Sequence, residues 1–226
     1  MEIKEIISLL KSKSNPRNLE GMSRFGINTS KAFGIPIPVL RDLAKKIGKN
    51  HKLALSLWKT GYHEARILAC YLDEPALVTE KQMDSWVKDF DSWDVCDQCC
   101  GNLFDKTEFA YKKAVQWTKS AHEYSRRAGF VMIASLAVHD KKADDSKFIK
   151  FLPLIKKYST DERNFVKKAV NWALRQIGKR NASLNKAAIV CANEILLIDN
   201  KAARWIAKDA LRELKSDAVR KKLKIV

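Results

Sequence analysis

Two side chains in the stretch Ser92-Trp93-Asp94-Val95-Cys96-Asp97 have types and spacing suited to chemistry: an indole at Trp93 and a carboxylate at Asp97. In a helix, residues four apart lie on one face, so the aromatic plate and the acid point the same way. Together they offer a cation both a π-face and a counter-charge. The competing structural reading is ordinary, since an acid at a helix start often caps and a Trp often packs in the core. The remaining chain decides between them.

A helix carrying such a pair has to be held by a sizeable scaffold. The 226 residues, 46% of them hydrophobic, are enough for one large domain, and we expect a single domain over 1–226. The start Met1-Glu2-Ile3-Lys4-Glu5-Ile6 opens an amphipathic pattern and no stretch has the ~20 apolar residues of a membrane span, so a soluble, cytoplasmic protein is expected. Five cysteines without paired spacing read as buried thiols and not as a disulfide framework. Cys96-x-x-Cys99-Cys100 has no second ligand pair, so no metal and no other cofactor is expected. His51, His63, His122 and His139 fall at helix ends, away from any nucleophile, and Trp58, Trp86, Trp117 and Trp205 read as inter-helix core.

Charge is the strongest compositional signal. Lys and Arg number 43 against 26 Asp and Glu, a net charge of +17 that exceeds what solubility asks and points to a polyanion. The basic residues are spread over the whole chain and not gathered in one tail, which favours nucleic acid over a membrane surface.

Apolar residues recur at three and four, as at Ile3, Ile6, Ile7 and Leu10, and no segment alternates as a strand. The pattern predicts about a dozen helices, among them 52–59, 64–72, 80–90, 93–104, 108–119, 124–138, 146–158, 162–179, 184–197, 202–214 and 217–223. Prolines 36 and 38 forbid helix before the third one resumes at Val39. Several helices share a charged residue followed by an Ala-rich apolar stripe. Taking Arg66, Asp97, Arg127, Lys168 and Arg204 as equivalent positions gives intervals of 31, 30, 41 and 36 residues, close to the range of helical repeats and irregular as degenerate repeats are. The expected fold is all-α: a right-handed superhelix of antiparallel helix pairs whose second helices line a concave basic face, suited to a duplex.

Four stretches then carry a resemblance: Gly34-Ile35-Pro36-Ile37-Pro38-Val39-Leu40-Arg41, Ser92 to Asp97, Ser125-Arg126-Arg127-Ala128 and Val170-Asn171-Trp172-Ala173-Leu174-Arg175. In that order they resemble the AlkD family of DNA alkylation repair glycosylases, built from HEAT-like repeats. The resemblance implies functional roles for Trp93, Asp97, Arg127 and Trp172, and excision of N3- and N7-alkylated purines from duplex DNA; a monomer without an obligate protein partner is expected. It also implies a duplex trapped against the concave face without enclosure of the lesion.

The residue types suit that chemistry. An alkylated purine is already cationic and leaves without a general acid, so a carboxylate beside C1′, Asp97, serves to stabilise the oxocarbenium ion and to orient water. Trp93 and Trp172 offer cation–π and stacking contacts of ~0.5–2 kcal/mol each. Arg127 either keeps Asp97 ionised or holds a phosphate. Arg175 and Lys179, three and seven residues after Trp172, are the first choices for phosphate contacts, with Arg66, Lys168, Arg204 and Lys208 behind them. Phe25 is read either as an aromatic wedge or as core. The apolar loop Ile35-Pro36-Ile37-Pro38 departs from the more polar loop of the family and is expected to lack its contacts to the opposite strand. The alternative reading is a helical-repeat module that binds damaged or branched DNA, or an acidic protein, without catalysis.

Overall fold

A computed structural model of the chain describes residues 2–225. Among them there are fifteen α-helices and no strand. The first seven are α1 (Ile3–Ser12), α2 (Pro16–Arg24), α3 (Ile37–Ile47), α4 (His51–Lys59), α5 (His63–Leu72), α6 (Glu80–Lys88) and α7 (Trp93–Asn102). The others are α8 (Ala110–Thr118), α9 (Glu123–His139), α10 (Asp145–Ile149), α11 (Leu152–Lys157), α12 (Asn164–Gly178), α13 (Ala182–Leu196), α14 (Lys201–Leu214) and α15 (Asp217–Leu223). Contacts gather the chain into two compact units, one running through Phe109 and one from Ala110 onward.

The helix starts have local causes. Asn50, Thr79, Asn181, Asn200 and Ser216 each precede a helix and accept a backbone N–H of its first turn through the side chain, satisfying a donor the helix itself leaves open. Pro38 sits in the first turn of α3, where its missing N–H costs nothing. The single helix expected over 146–158 is in fact two, α10 and α11, with the chain turning at Lys150 and Phe151. Pro153 explains the break: its ring clashes with the carbonyl four residues back, yet it is tolerated in the first turn of a new helix. Short connections, such as residues 60–62 between α4 and α5, make sequential neighbours antiparallel.

In the first unit the indoles of Trp58 and Trp86 stack 4.0 Å apart at an interplanar angle of 3°. Trp58 donates its N–H to Asp89 at 2.8 Å, so the polar end of a buried indole is satisfied. In the second unit α9 is buried without a break from Gly129 to Ala137 and packs between α8 and α12, as a helix that is apolar on all sides must.

Gly129 makes the α8–α9 approach possible. A Cβ there would sit 2.4 Å from the Thr118 backbone nitrogen and 2.9 Å from the Trp117 carbonyl carbon, and neither is a side chain that can swing away. Gly129→Ala is therefore expected to destabilise the second unit by about 1–3 kcal/mol, the usual range for overpacking, in chemical denaturation. Unchanged stability would mean that the helices separate without loss.

Candidate functional site

The candidate helix is α7, and its entry is held from three directions. Ser92, immediately before it and wholly buried, accepts the Asn28 backbone N–H on its Oγ at 2.9 Å. The Asn28 side chain donates to Asp91 at 2.9 Å. The Trp93 indole donates to the Phe25 carbonyl at 3.0 Å, which fixes the ring's in-plane direction while leaving the residue half-buried. Phe25 itself is 73% exposed, so its side chain stands in solvent beside the Trp93 anchor point and is not core.

The strap that supplies Phe25 and Asn28 is itself anchored on α5. Glu64, with no exposed surface, accepts the backbone N–H groups of Phe33, Gly34 and Ile35 at 2.9, 2.7 and 3.2 Å. One buried carboxylate thus satisfies three consecutive loop donors, and that compensates its own burial. Gly34 has φ +75°, and a Cβ would lie 2.3 Å from the Asn15 carbonyl oxygen. The glycine is required by backbone geometry, and the side chain of Ile35 is buried, not displayed at the surface.

Asp94, the other acid of the motif, turns away from the exposed face. Its Oδ2 lies 2.9 Å from His63 Nε2, and His63 is only 6% exposed. Burial alone would lower the His63 pKa, but the hydrogen bond and charge of Asp94, followed by the charges of Glu64 and Asp91, raise it above the usual 6.5. A raised folded-state pKa means that the ion pair's stabilisation is full below about pH 6.5 and is lost as pH rises through the folded value. His63→Gln should accordingly lower the melting temperature more at pH 6 than at pH 9. A deficit equal at both pH values would show that His63 carries no charge when folded.

Asp97 follows Trp93 by one turn and is half-buried. On the same helix Cys96, Cys99 and Cys100 are wholly buried, and the Cys99 thiol meets Cys70 of α5. Burial pushes the Cys100 thiol well above its ordinary value, and the charges of Cys96, Asp97 and Asp105 push the same way. These are packing thiols and not nucleophiles. Beside Asp97, Tyr71 donates its hydroxyl to Gln98 Oε1 at 2.5 Å, locking α7 against α5.

The second unit carries Arg127 on α9 and Trp172 on α12. Arg127 is 5% exposed and donates to the Phe165 carbonyl at 2.7 Å, so its guanidinium is fixed against the first turn of α12. Trp172 is half-buried. Asn171, next to it, donates to Asp209 of α14 at 2.7 Å.

A family model described as DNA alkylation repair enzyme matches residues 6–214. The chain belongs to this family. A solved structure described as a new family of proteins related to the HEAT-like repeat DNA glycosylases, with affinity for branched DNA structures, aligns with a TM-score of 0.78 at 23% identity. That alignment covers 94% of this chain and 95% of the other and shows the fold, an all-α arrangement of HEAT-like helix pairs. An engineered protein aligns over 78% of this chain and 90% of its own at 16% identity, with a TM-score of 0.38, too low to carry an argument. No curated protein matches the chain.

In this member of the family the six cations named from the sequence differ in what they already hold. Arg175 and Lys179 donate to Glu213 of α14 at 2.5 and 2.6 Å. Burial would raise the Glu213 carboxyl, but the hydrogen bonds from Lys179 and Arg175 hold it below the usual range. Arg66 donates to the Asp89 carbonyl at 3.0 Å, lies 5.4 Å from the Trp58 ring centroid, and opens onto a cleft of about 230 Å³ lined also by Lys31, His63 and Asp91. Arg204 is paired with Asp199. Lys168 and Lys208 are exposed, and among the described residues neither has a hydrogen-bond or ion-pair partner. No described group of three or more His, Cys, Asp or Glu is arranged to hold a metal, and no described helix is long and apolar enough to cross a membrane.

Trp58, Trp86 and Trp117 are core, whereas Trp205 is not: 41% of it is exposed, with the Lys167 ammonium 5.1 Å from its ring centroid. The residues that sequence reasoning missed are Glu64 and His63. Their partners lie about thirty positions away, and only the packing of α5 against α7 and the strap brings them together.

Proposed function

We propose that this protein is a DNA glycosylase that releases cationic N3- and N7-alkylated purines from duplex DNA by hydrolysing the N-glycosidic bond. The observation that carries the reading is the pair on α7: an indole held by the Phe25 carbonyl and, one turn later, a half-buried carboxylate. DNA binding without chemistry has no need of that carboxylate, because an acid repels phosphate. The net charge of +17 supports a polyanionic substrate.

In the proposed step the bond between C1′ and the purine nitrogen breaks, and its electron pair leaves with the base and neutralises the base's charge. Positive charge then develops on C1′ and the ring oxygen, where the Asp97 carboxylate stabilises it. A water attacks C1′, Asp97 orients it and accepts its proton, and the products are free base and an abasic site. Trp93 supplies the π-face that favours a cationic base over a neutral one. Within the second unit we assign Trp172 as an aromatic contact to DNA and Arg127 as a positioning group, since it is buried. Lys168 and Lys208 are the cations most ready for phosphate, while Arg175 and Lys179 would have to share theirs with Glu213.

The test is the appearance of alkali-labile abasic sites in a methylated duplex, above spontaneous depurination. A second reading, favoured by the branched-DNA affinity of the similar protein, is structure-specific binding without catalysis. Tight binding to a four-way junction with no abasic sites formed would select it over the glycosylase.

A further inference from the structure

Trp205 presents an indole where a soluble helix usually carries a polar side chain, and its neighbours are cations. Lys201 and Lys208 lie four residues before and three after it on α14, hence on the same face, and both are exposed. Lys167 reaches over the ring from α12. Among the described residues Lys201 and Lys208 make no hydrogen bond or ion pair. Asp199 is paired with Arg204 and Asp209 with Arg175 and Arg212, while Glu162 accepts from the neutral Asn200 amide. With three lysines around the ring the patch is positive.

Lysines alone would explain attraction to phosphate, but not an indole left in water. A flat aromatic surface between cations matches a nucleobase face flanked by its own phosphates. In an intact duplex each base face is already covered by the next pair, so only an unpaired base can use it. We propose that Trp205, with Lys167, Lys201 and Lys208, forms a stacking site for an unpaired base of DNA, separate from the α7 pair. The inference rests on the reading that the protein binds DNA, and not on its being catalytic.

The test compares three DNAs by fluorescence anisotropy: a blunt duplex, the same duplex with a short single-stranded thymine tail, and the same duplex with a tail of abasic residues. The two tails carry equal phosphate charge and differ only in bases. The wild type should prefer the thymine tail over the abasic one by about fivefold or more, the low end of what one base–aromatic stack contributes. Trp205→Leu, which keeps an apolar side chain without a stacking face, should abolish that preference and leave blunt-duplex affinity unchanged, while Trp205→Phe should retain most of it. Equal binding of both tails by the wild type, or a preference that survives Trp205→Leu, overturns the stacking site. Absence of binding to all three DNAs at low salt overturns the DNA reading itself and the inference with it.

Discussion

Asp97→Asn is expected to slow release of alkylated purines by ~10²-fold or more while leaving duplex affinity within about twofold. The substitution keeps the side chain's size and an oxygen acceptor, so the half-buried position on α7 is filled as before. What disappears is the negative charge facing the developing oxocarbenium ion, an interaction made in the transition state and scarcely in the ground state. The loss should therefore fall on the single-turnover rate and not on binding. Spontaneous depurination of N7-methylguanine sets a floor that compresses the ratio, so N3-methyladenine should be followed in parallel. Weakened binding with an unchanged rate would make Asp97 a binding residue only.

Glu64→Ala is expected to cost on the order of 3–5 kcal/mol, because it strands the buried N–H groups of Phe33, Gly34 and Ile35 at once. The effect should reach the site. The loop freed by the substitution continues into Asn28 and Phe25, which hold Ser92 and the Trp93 indole, so excision should fall even below the melting temperature. Glu64→Gln keeps one acceptor oxygen and should lose less of both. Denaturation curves and single-turnover rates on the same samples check this; stability equal to wild type would show that water takes over the three donors.

The periodic elements were legible because their causes are local. Asp217–Leu223 is found where the apolar spacing placed it, with Ser216 as its cap, and Trp93 opens α7 as expected. The break at Pro153 was legible in principle and was overridden by the apolar spacing on either side of it. Trp205 was read as core from its residue type alone, yet which face of α14 meets the unit is fixed by where Ala203, Ile206, Ala207 and Ala210 pack. The long-range polar contacts were not legible. Nothing near Glu64 in the sequence says that its carboxylate will cap a loop thirty residues earlier, and nothing near Arg175 says that Glu213 will hold it. Such pairings come from helix packing, which sequence spacing does not encode at that range.

The central claim is chemical, and free base is its direct product. Wild-type protein in excess over duplex DNA containing N3-methyladenine, at low salt, should release free N3-methyladenine, resolved by chromatography, faster than the protein-free control, with an equal amount of abasic DNA. Retention of all the methylated base in the DNA, at a protein concentration where binding is complete, would contradict the account.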